Sequence, residues 1–296
     1  MSWLGALGDF RRSVVGLNRR NLACVFPHNP RASLPAVDDK VLAKERLVSC
    51  AIRVPETRLI VRQYRELATF FAMRSGWSDF VVKPVNGAGG RGFRLGEIDA
   101  EGGWRNHRGA PIDDEDLAFH LAAILAGEHT MDGHPDSILV EELLREDPAI
   151  AAVHGTRGVA DVRVIACAGR SVLAMLRLPT ALSGGAANLH KGGIGVGIDL
   201  ATGVTTHAVR RGRTLERHPD TGVELSGIAI PDWSGIQAIA GRVNHAFAMD
   251  YLGVDCVLER RGTFVLEVNA RPGLEIQLCN RRGLADAMAA AGVPIP

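Results

Sequence analysis

The sequence predicts an α+β protein, and three observations carry that reading. Two stretches, "DVRVIACAGRSVLAMLRL" and "YLGVDCVLERRGTFVLEVN", read as strand pairs folded about tight loops with glycine where a positive φ is wanted. Helical periods return between such strands, in "IDDEDLAFHLAAILAG" and again near Trp233 to Tyr251. The mixture lacks the regular βαβ alternation of a doubly wound sheet, so strands and helices belong to an α+β architecture of two subdomains meeting near residue 145.

In chain order, the first 16 residues form an amphipathic pattern, with Trp3, Leu4, Leu7, Phe10 and Val14 on one stripe and Arg11 and Arg12 off it. Docking of that stripe on the body of the protein is favoured over contact with a membrane surface. "FPHNPRASLPAVDD" has too many prolines and turn residues for regular structure and reads as a connector. Asp38 or Asp39 then caps a helix in "DDKVLAKERLVSC". A turn at "RVPET" leads to a helix, "RQYRELATFFAMRS", and to the strand "DFVVKP". "SILVEELL" is a further apolar strand, and a closing helix starts from Arg281. The expected division is residues 1–37 as helix and connector, 38–145 as a first subdomain with a glycine-rich loop, and 146–296 as a second.

At 296 residues the chain can bury well-formed cores. A composition of 46% hydrophobic and 23% charged residues is that of an ordinary soluble enzyme. With 34 basic against 33 acidic residues and only 5% aromatics, neither a basic footprint nor stacking platforms point to nucleic acid. Five cysteines without a CxxC pair read as reduced thiols in a cytosolic protein. The N-terminus lacks a signal-peptide pattern, and no run reaches the roughly 18 apolar residues of a membrane span.

The chemistry concentrates in "FVLEVNARPGLE". Glu267 and Asn269 are two residues apart on a strand and share a face. Folding this run back about Arg260 to Gly262 brings Asp255 to within about a residue of lying opposite Glu267, where like charges repel unless a cation bridges them. Oxygen donors without His or Cys suit a hard ion, Mg²⁺ or Mn²⁺. Two solvated acids on a hairpin are the plainer reading.

"VVKPVNGAGGRGF" satisfies GxGxxG through Gly87, Gly89 and Gly92. A strand rather than a helix follows, which excludes the dinucleotide fingerprint, and GK[ST] is missing. What remains is a glycine loop between two strands, whose N–H groups can close over phosphates, with Lys83 in reach of them. A surface hairpin beside a snorkelling lysine is the alternative.

Together these residues resemble the ATP-grasp superfamily, and within it the RimK-type α-L-glutamate ligases, from about Asp39 to Leu284. The marks are Asp39 and Lys40, "VVKP", "GAGGRG", "ILVEELL", "DVRV", "NLHKGG" and "EVNARPGLE". The resemblance implies an ATP-grasp fold, two α/β subdomains gripping ATP between them. It implies that Lys40, Lys83 and the loop glycines Gly87, Gly89 and Gly90 contact ATP phosphates, and that the hinge Glu141, Glu142, Leu143 and Leu144 holds adenine. Asp255, Glu267 and Asn269 match magnesium ligands; Arg163 and Lys191 match basic positions of the phosphate-transfer region. For Arg163 an ion pair with Asp161 is the competing role. His190 reads as stabilising its loop, and Glu146, a candidate ribose contact, as a solvated acid.

The implied activity joins a carboxylate and an amine, from an amino acid or peptide, through an acylphosphate. A nucleotide-binding partner without turnover and a kinase that stops at the phosphorylated product are the alternatives. Three departures stand out. Only 38 residues precede Asp39, where RimK-type ligases carry a full α/β domain, leaving an apolar face that a second subunit could cover. "REDPAIAAVHGTRG" is an extra stretch, and Arg271 stands where a small residue is frequent. Arg271 suits a carboxylate or phosphate, or pairs with Glu275.

Overall fold

The computed structural model describes residues 12–87, 89–130 and 133–295. The N-terminal stripe from Trp3 to Phe10 lies outside the described residues. The chain divides into two compact units. One comprises the described residues up to Asp38, Leu42–Val54 and those from Glu146 on; the other comprises Asp39–Val41 and Pro55–Arg145. Residues before Asp38 therefore group with the C-terminal part.

The smaller unit follows α1 (Lys40–Ser49), whose start is capped by Asp39, its Oδ1 accepting from the Val41 N–H at 2.8 Å. Five antiparallel strands make its sheet: β1 (Thr57–Val61), β2 (Asp79–Pro84), β3 (Arg94–Ile98), β4 (Trp104–Arg105) and β5 (Ile138–Glu141), in the order β1-β5-β2-β3-β4. Strand β1 falls between the expected turn and the expected helix, assigned to neither beyond Thr57, and the helix α2 starts only at Leu67 (Leu67–Arg74). Five residues of "TRLIV" are too short to announce a strand by alternation. Helix α3 (Asp114–Leu125) is capped by Asp113, which accepts from the Asp116 N–H, and Asp114, Glu115 and Asp116 favour its positive N-terminal end. Its Leu117, Leu121, Ile124 and Leu125 recur at helical spacing and pack with Phe70, Phe80, Val82 and Ile138 into one core.

The larger unit is built on a seven-stranded antiparallel sheet. Its strands are β6 (Asp161–Cys167), β7 (Arg170–Leu178), β8 (Ile194–Ile198), β9 (Thr205–Arg210), β10 (Arg213–Leu215), β11 (Tyr251–Glu259) and β12 (Gly262–Asn269), in the order β10-β9-β8-β7-β6-β11-β12. The insert after the hinge folds as α4 (Pro148–His154), capped by Asp147. The long helix α5 (Trp233–Phe247) stops before Tyr251, because Ala248 takes a left-handed conformation and Tyr251 opens β11. Its Trp233, Ile236, Ala240, Val243 and Phe247 cover one face of the sheet. The expected connector is a series of short helical turns, Phe26–His28, Arg31–Ser33 and Pro35–Asp38. Residues flanking the first of these turns hold the sheet: Arg20 donates to the carbonyls of Arg271 and Pro272 just past β12, and Asn29 to those of Tyr251, which opens β11, and Ala270.

On the other face sit α6 (Ile276–Asn280) and α7 (Leu284–Ala290), two short helices where one was expected from Arg281. Arg281 itself is left-handed (φ 47°), which breaks the run. Close approach of α6 to β8 depends on missing side chains: a Cβ on Gly195 would lie 2.5 Å from the Cys279 sulfur, and one on Gly197 2.2 Å from the Cys279 carbonyl oxygen. Gly197→Ala is therefore expected to destabilise the chain by about 1–3 kcal/mol, the cost of overpacking a filled contact. Urea denaturation measures this; an unchanged midpoint would show that α6 does not depend on the glycine.

Candidate active site

The metal-ligand candidates come together on the face of the seven-stranded sheet that carries α6. Strand register sets Arg163, Asp255 and Glu267 directly opposite one another across β6, β11 and β12, and Asn269 opposite Gly253. Asp255 faces Glu267 without the offset of a residue, and Gly262 has the positive φ the loop requires (118°). Asn269 Nδ2 lies 3.4 Å from Asp255 Oδ2.

Asp255 is 2% exposed. Burial pushes its carboxyl up, but Arg163 and Arg177 outweigh burial and hold it below the usual carboxylate range. Arg163 grips it with Nε to Oδ1 and Nη2 to Oδ2, both 2.6 Å, a bidentate pair. The competing ion pair of Arg163 with Asp161 does not form: Asp161 Oδ1 accepts from Arg177 Nε at 2.6 Å, while Arg177 Nη2 reaches Asp255 Oδ2 at 2.7 Å. Burial, opposed by Arg177 and reinforced by Asp255, raises Asp161 to about 7. Arg177 is the residue that the sequence reading passed over. Its signal was a charge inside the apolar run "LAMLRLP", opposite Asp161 in the hairpin register.

The remaining basic candidates of this unit sit at its surface. Lys191 and His190 lie in a 3₁₀ turn capped by Asn188, whose Oδ1 accepts from the His190 N–H. His190 Nε2 is 3.3 Å from Glu275 Oε1, so Glu275 pairs there and not with Arg271. Arg271 approaches Asp38 instead, at 3.8 Å. Glu146 is neither a solvated acid nor open to a ribose. Its Oε1 is 2.6 Å from His154 Nε2, its Oε2 accepts from the Ala160 N–H, and the α4 insert buries the pair.

In the smaller unit, the glycine loop joins β2 to β3 as expected, with positive φ at Gly89, Gly90 and Gly92. Lys40 Nζ donates to the carbonyls of Val85 and Gly87 at the loop's entry. Lys83 Nζ is 2.5 Å from Glu141 Oε2, whose residue is 1% exposed. The lysine is thus paired inside the sheet and does not snorkel. In the hinge, the Glu142 N–H donates to Glu56 O at 3.0 Å, and the Leu143 N–H to Asp79 Oδ1 at 2.9 Å. Leu144 is buried beside them. Asp79, which Arg58 also contacts at 2.9 Å, is a second residue missed from sequence; its signal was an acid opening an apolar strand.

Among the described residues, no group of three or more His, Cys, Asp or Glu could hold a metal ion. Asp255, Glu267 and Asn269 nevertheless fit a hard cation. Asp255 and Glu267 offer carboxylate oxygens on the face that also carries the Asn269 amide, whose Nδ2 is turned to Asp255, and the two guanidinium groups already in contact with Asp255 stand where positive charge is required.

Two consequences can be measured. Lys83→Met is expected to cost about 3 kcal/mol in chemical denaturation by leaving a buried carboxylate without its cation, and Glu141→Gln in the same chain to restore part of it. No loss in the single variant would mean that the pair is not structural. His120 Nε2–H donates to the Gly92 carbonyl at 2.9 Å, and burial, with Arg94 and His129 adding to it, lowers its imidazole to about 4. The unfolded chain therefore takes up this proton first, so stability present above about 6.5 is lost as pH falls towards 4. His120→Gln keeps a donor without titrating. Its melting temperature is expected to fall less over that interval than that of the unaltered chain, and equal falls would refute the assignment.

Residues 19–292 match the model of the sugar-transfer associated ATP-grasp family. No curated protein matches the chain. Among solved structures, the chain is similar to the ATP-grasp ligase PsnB complexed with precursor peptide PsnA2 and AMPPNP, at 17% identity over 89% of this chain and 60% of that one, with a TM-score of 0.44. The D-alanine–D-alanine ligase from Bacillus anthracis follows at 16% identity, 88% and 64% coverage and a TM-score of 0.48. A RimK domain ATP-grasp protein from Sphaerobacter thermophilus DSM 20745 stands at 15%, 90% and 67%, and 0.43. The chain thus spans about three fifths of the length of the first of these. No helix among the described residues is long and apolar enough to cross a membrane. The family match covers almost the whole described chain and carries the assignment by itself: the chain has the ATP-grasp fold and belongs to the sugar-transfer associated ATP-grasp family.

Proposed function

We propose that this chain is an ATP-dependent, Mg²⁺- or Mn²⁺-requiring ligase. It would form an amide or peptide bond between a carboxylate and an amine, with glutamate or another amino acid as one partner and a peptide or small molecule as the other. The observation that carries this reading is the register of Asp255 against Glu267, beside Asn269 and two arginines. A bound divalent cation would supply charge neutralisation and polarise the phosphoryl oxygens there.

The chain's own residues serve the rest. In the smaller unit, Lys40 and Lys83, with Gly87, Gly89 and Gly90, bind the phosphates; Lys83 exchanges Glu141 for them. The hinge from Glu141 to Leu144 receives adenine. Because the N–H groups of Glu142 and Leu143 already have acceptors, recognition through either requires that bond to be exchanged. In the larger unit, Arg163, Lys191 and Arg271 neutralise charge on the transferring group. A carboxylate oxygen attacks the γ-phosphorus and ADP leaves. The amine nitrogen then attacks the acyl carbon, phosphate departs, and the amine loses a proton. Carboxylate attack needs no strong base, so alignment and charge neutralisation do most of the work. Glu146, engaged with His154, has no part in this scheme. Five free cysteines fit a cytoplasmic setting.

ADP release that requires both a carboxylate and an amine is the expected result across panels of amino acids and peptides. Amine-independent phosphate transfer would replace the ligase by a kinase, and nucleotide binding without ADP release by an inactive binding module. Glu267→Gln is expected to lower metal-dependent ADP formation by at least about a hundredfold, a loss typical of removing one electrostatic partner of a transition state. Its melting temperature should remain close to that of the unaltered chain; unchanged turnover would sink the metal assignment.

A further inference from the structure

Asp255 is engaged before any metal arrives. Its Oδ2 receives Arg163 Nη2 at 2.6 Å, Arg177 Nη2 at 2.7 Å and Asn269 Nδ2 at 3.4 Å, while Oδ1 receives Arg163 Nε. Both arginines are largely buried, and so is Asp161, which holds Arg177 by its Nε. A carboxylate at this depth is stable as an anion only with cationic partners, and two guanidinium groups provide them. A divalent cation seated on the same oxygens has to displace at least part of that shell.

We propose that Arg163 and Arg177 form a built-in counter-ion for Asp255 that a divalent cation displaces, and that the two released guanidinium groups then make a binding site for a phosphate-like oxyanion. This rests on the metal reading above and goes beyond it, because it gives Arg177 a function and makes metal and anion binding interdependent.

Three features support the exchange. Arg163 lies directly opposite Asp255 in the neighbouring strand, so a guanidinium that lets go remains on the same face. Arg177 is tethered through Asp161, with which it is paired across the β6–β7 hairpin, so it can swing without leaving. A dication also adds two positive charges beside the guanidinium groups of Arg163 and Arg177, and an anion is drawn to that added charge. By linkage each ligand must raise the affinity of the other by the same factor.

Arg177 is on this account an anion-binding residue, and binding tests it without turnover. Mn²⁺ binding to the full chain is measured by electron paramagnetic resonance, with inorganic phosphate as the anionic probe. Saturating phosphate is expected to raise Mn²⁺ affinity by about fivefold or more, within the usual range of such couplings. In Arg177→Met, Mn²⁺ alone is expected to bind at least about fivefold more tightly, with the phosphate effect reduced below about twofold. Equal phosphate coupling in Arg177→Met and the unaltered chain would overturn the exchange. Mn²⁺ binding that Glu267→Gln does not weaken would overturn the metal reading and the exchange together. Should Arg177→Met fail to fold, the unaltered chain decides: Mg²⁺ without phosphate is expected to shift two protected arginine Nε–H resonances, and their persistence unchanged at saturating Mg²⁺ would refute the proposal.

Discussion

A carboxylate buried inside a sheet constrains everything around it. Asp255 lies on β11, one strand in from the edge strand β12, so its desolvation cost must be met from β6 and β7 as well as from its own hairpin. Arg163 comes from β6 and Arg177 from β7, which makes the charge network a check on strand register. A slip of one residue in either strand would turn its arginine into the apolar core under α5 and bring an apolar side chain to Asp255. Hydrophobic alternation already favours the observed register, and the ion pairs add an electrostatic penalty for any other.

The smaller unit solves a similar problem in the same way. Lys83 on β2 pairs with Glu141 on β5 inside a sheet whose neighbouring positions are apolar, and Asp79 takes a hinge N–H together with Arg58. Groups suited to an anionic ligand thus rest on internal partners. Unpaired, each would add several kcal/mol of desolvation to a fold stable by only about 5–15 kcal/mol. The arrangement implies that ligand binding replaces contacts more than it adds them, which limits affinity and leaves room for selectivity.

The β11–β12 hairpin was legible because long alternating strands, a glycine at the turn and acids in apolar runs all pointed to one hairpin, with its register known to within about a residue. Strands β8 to β10 were not. "GIGVGI" has glycine at every second position, where alternation normally shows, and two of them, Gly195 and Gly197, make sense only once α6 lies on them. Arg177 escaped notice because one of its two partners, Asp255, is 78 residues away in sequence. Glu146 was misread for a related reason. Its neighbours in sequence are polar, but the helix that follows folds His154 back over it. Local pattern finds the residues of a site; tertiary pairing decides which of them are engaged.

That distinction separates two kinds of ion pair in the larger unit. Asp255, Asp161, Arg163 and Arg177 hold one another in bonds of 2.6 to 2.7 Å away from water. Arg271 with Asp38 at 3.8 Å, and His190 with Glu275 at 3.3 Å, lie at the surface, His190 with 77% of its side chain exposed. Exposed pairs of this kind contribute about 0–1 kcal/mol, so a substrate carboxylate or ammonium can take either partner at little cost. Under the proposed ligase chemistry, the buried cluster, with Lys191 and Arg271, then serves whatever group is transferred, and discrimination among acceptors falls to the exposed partners His190 and Glu275. A change of substrate would require altering only the exposed pairs, because the register of the sheet does not depend on them.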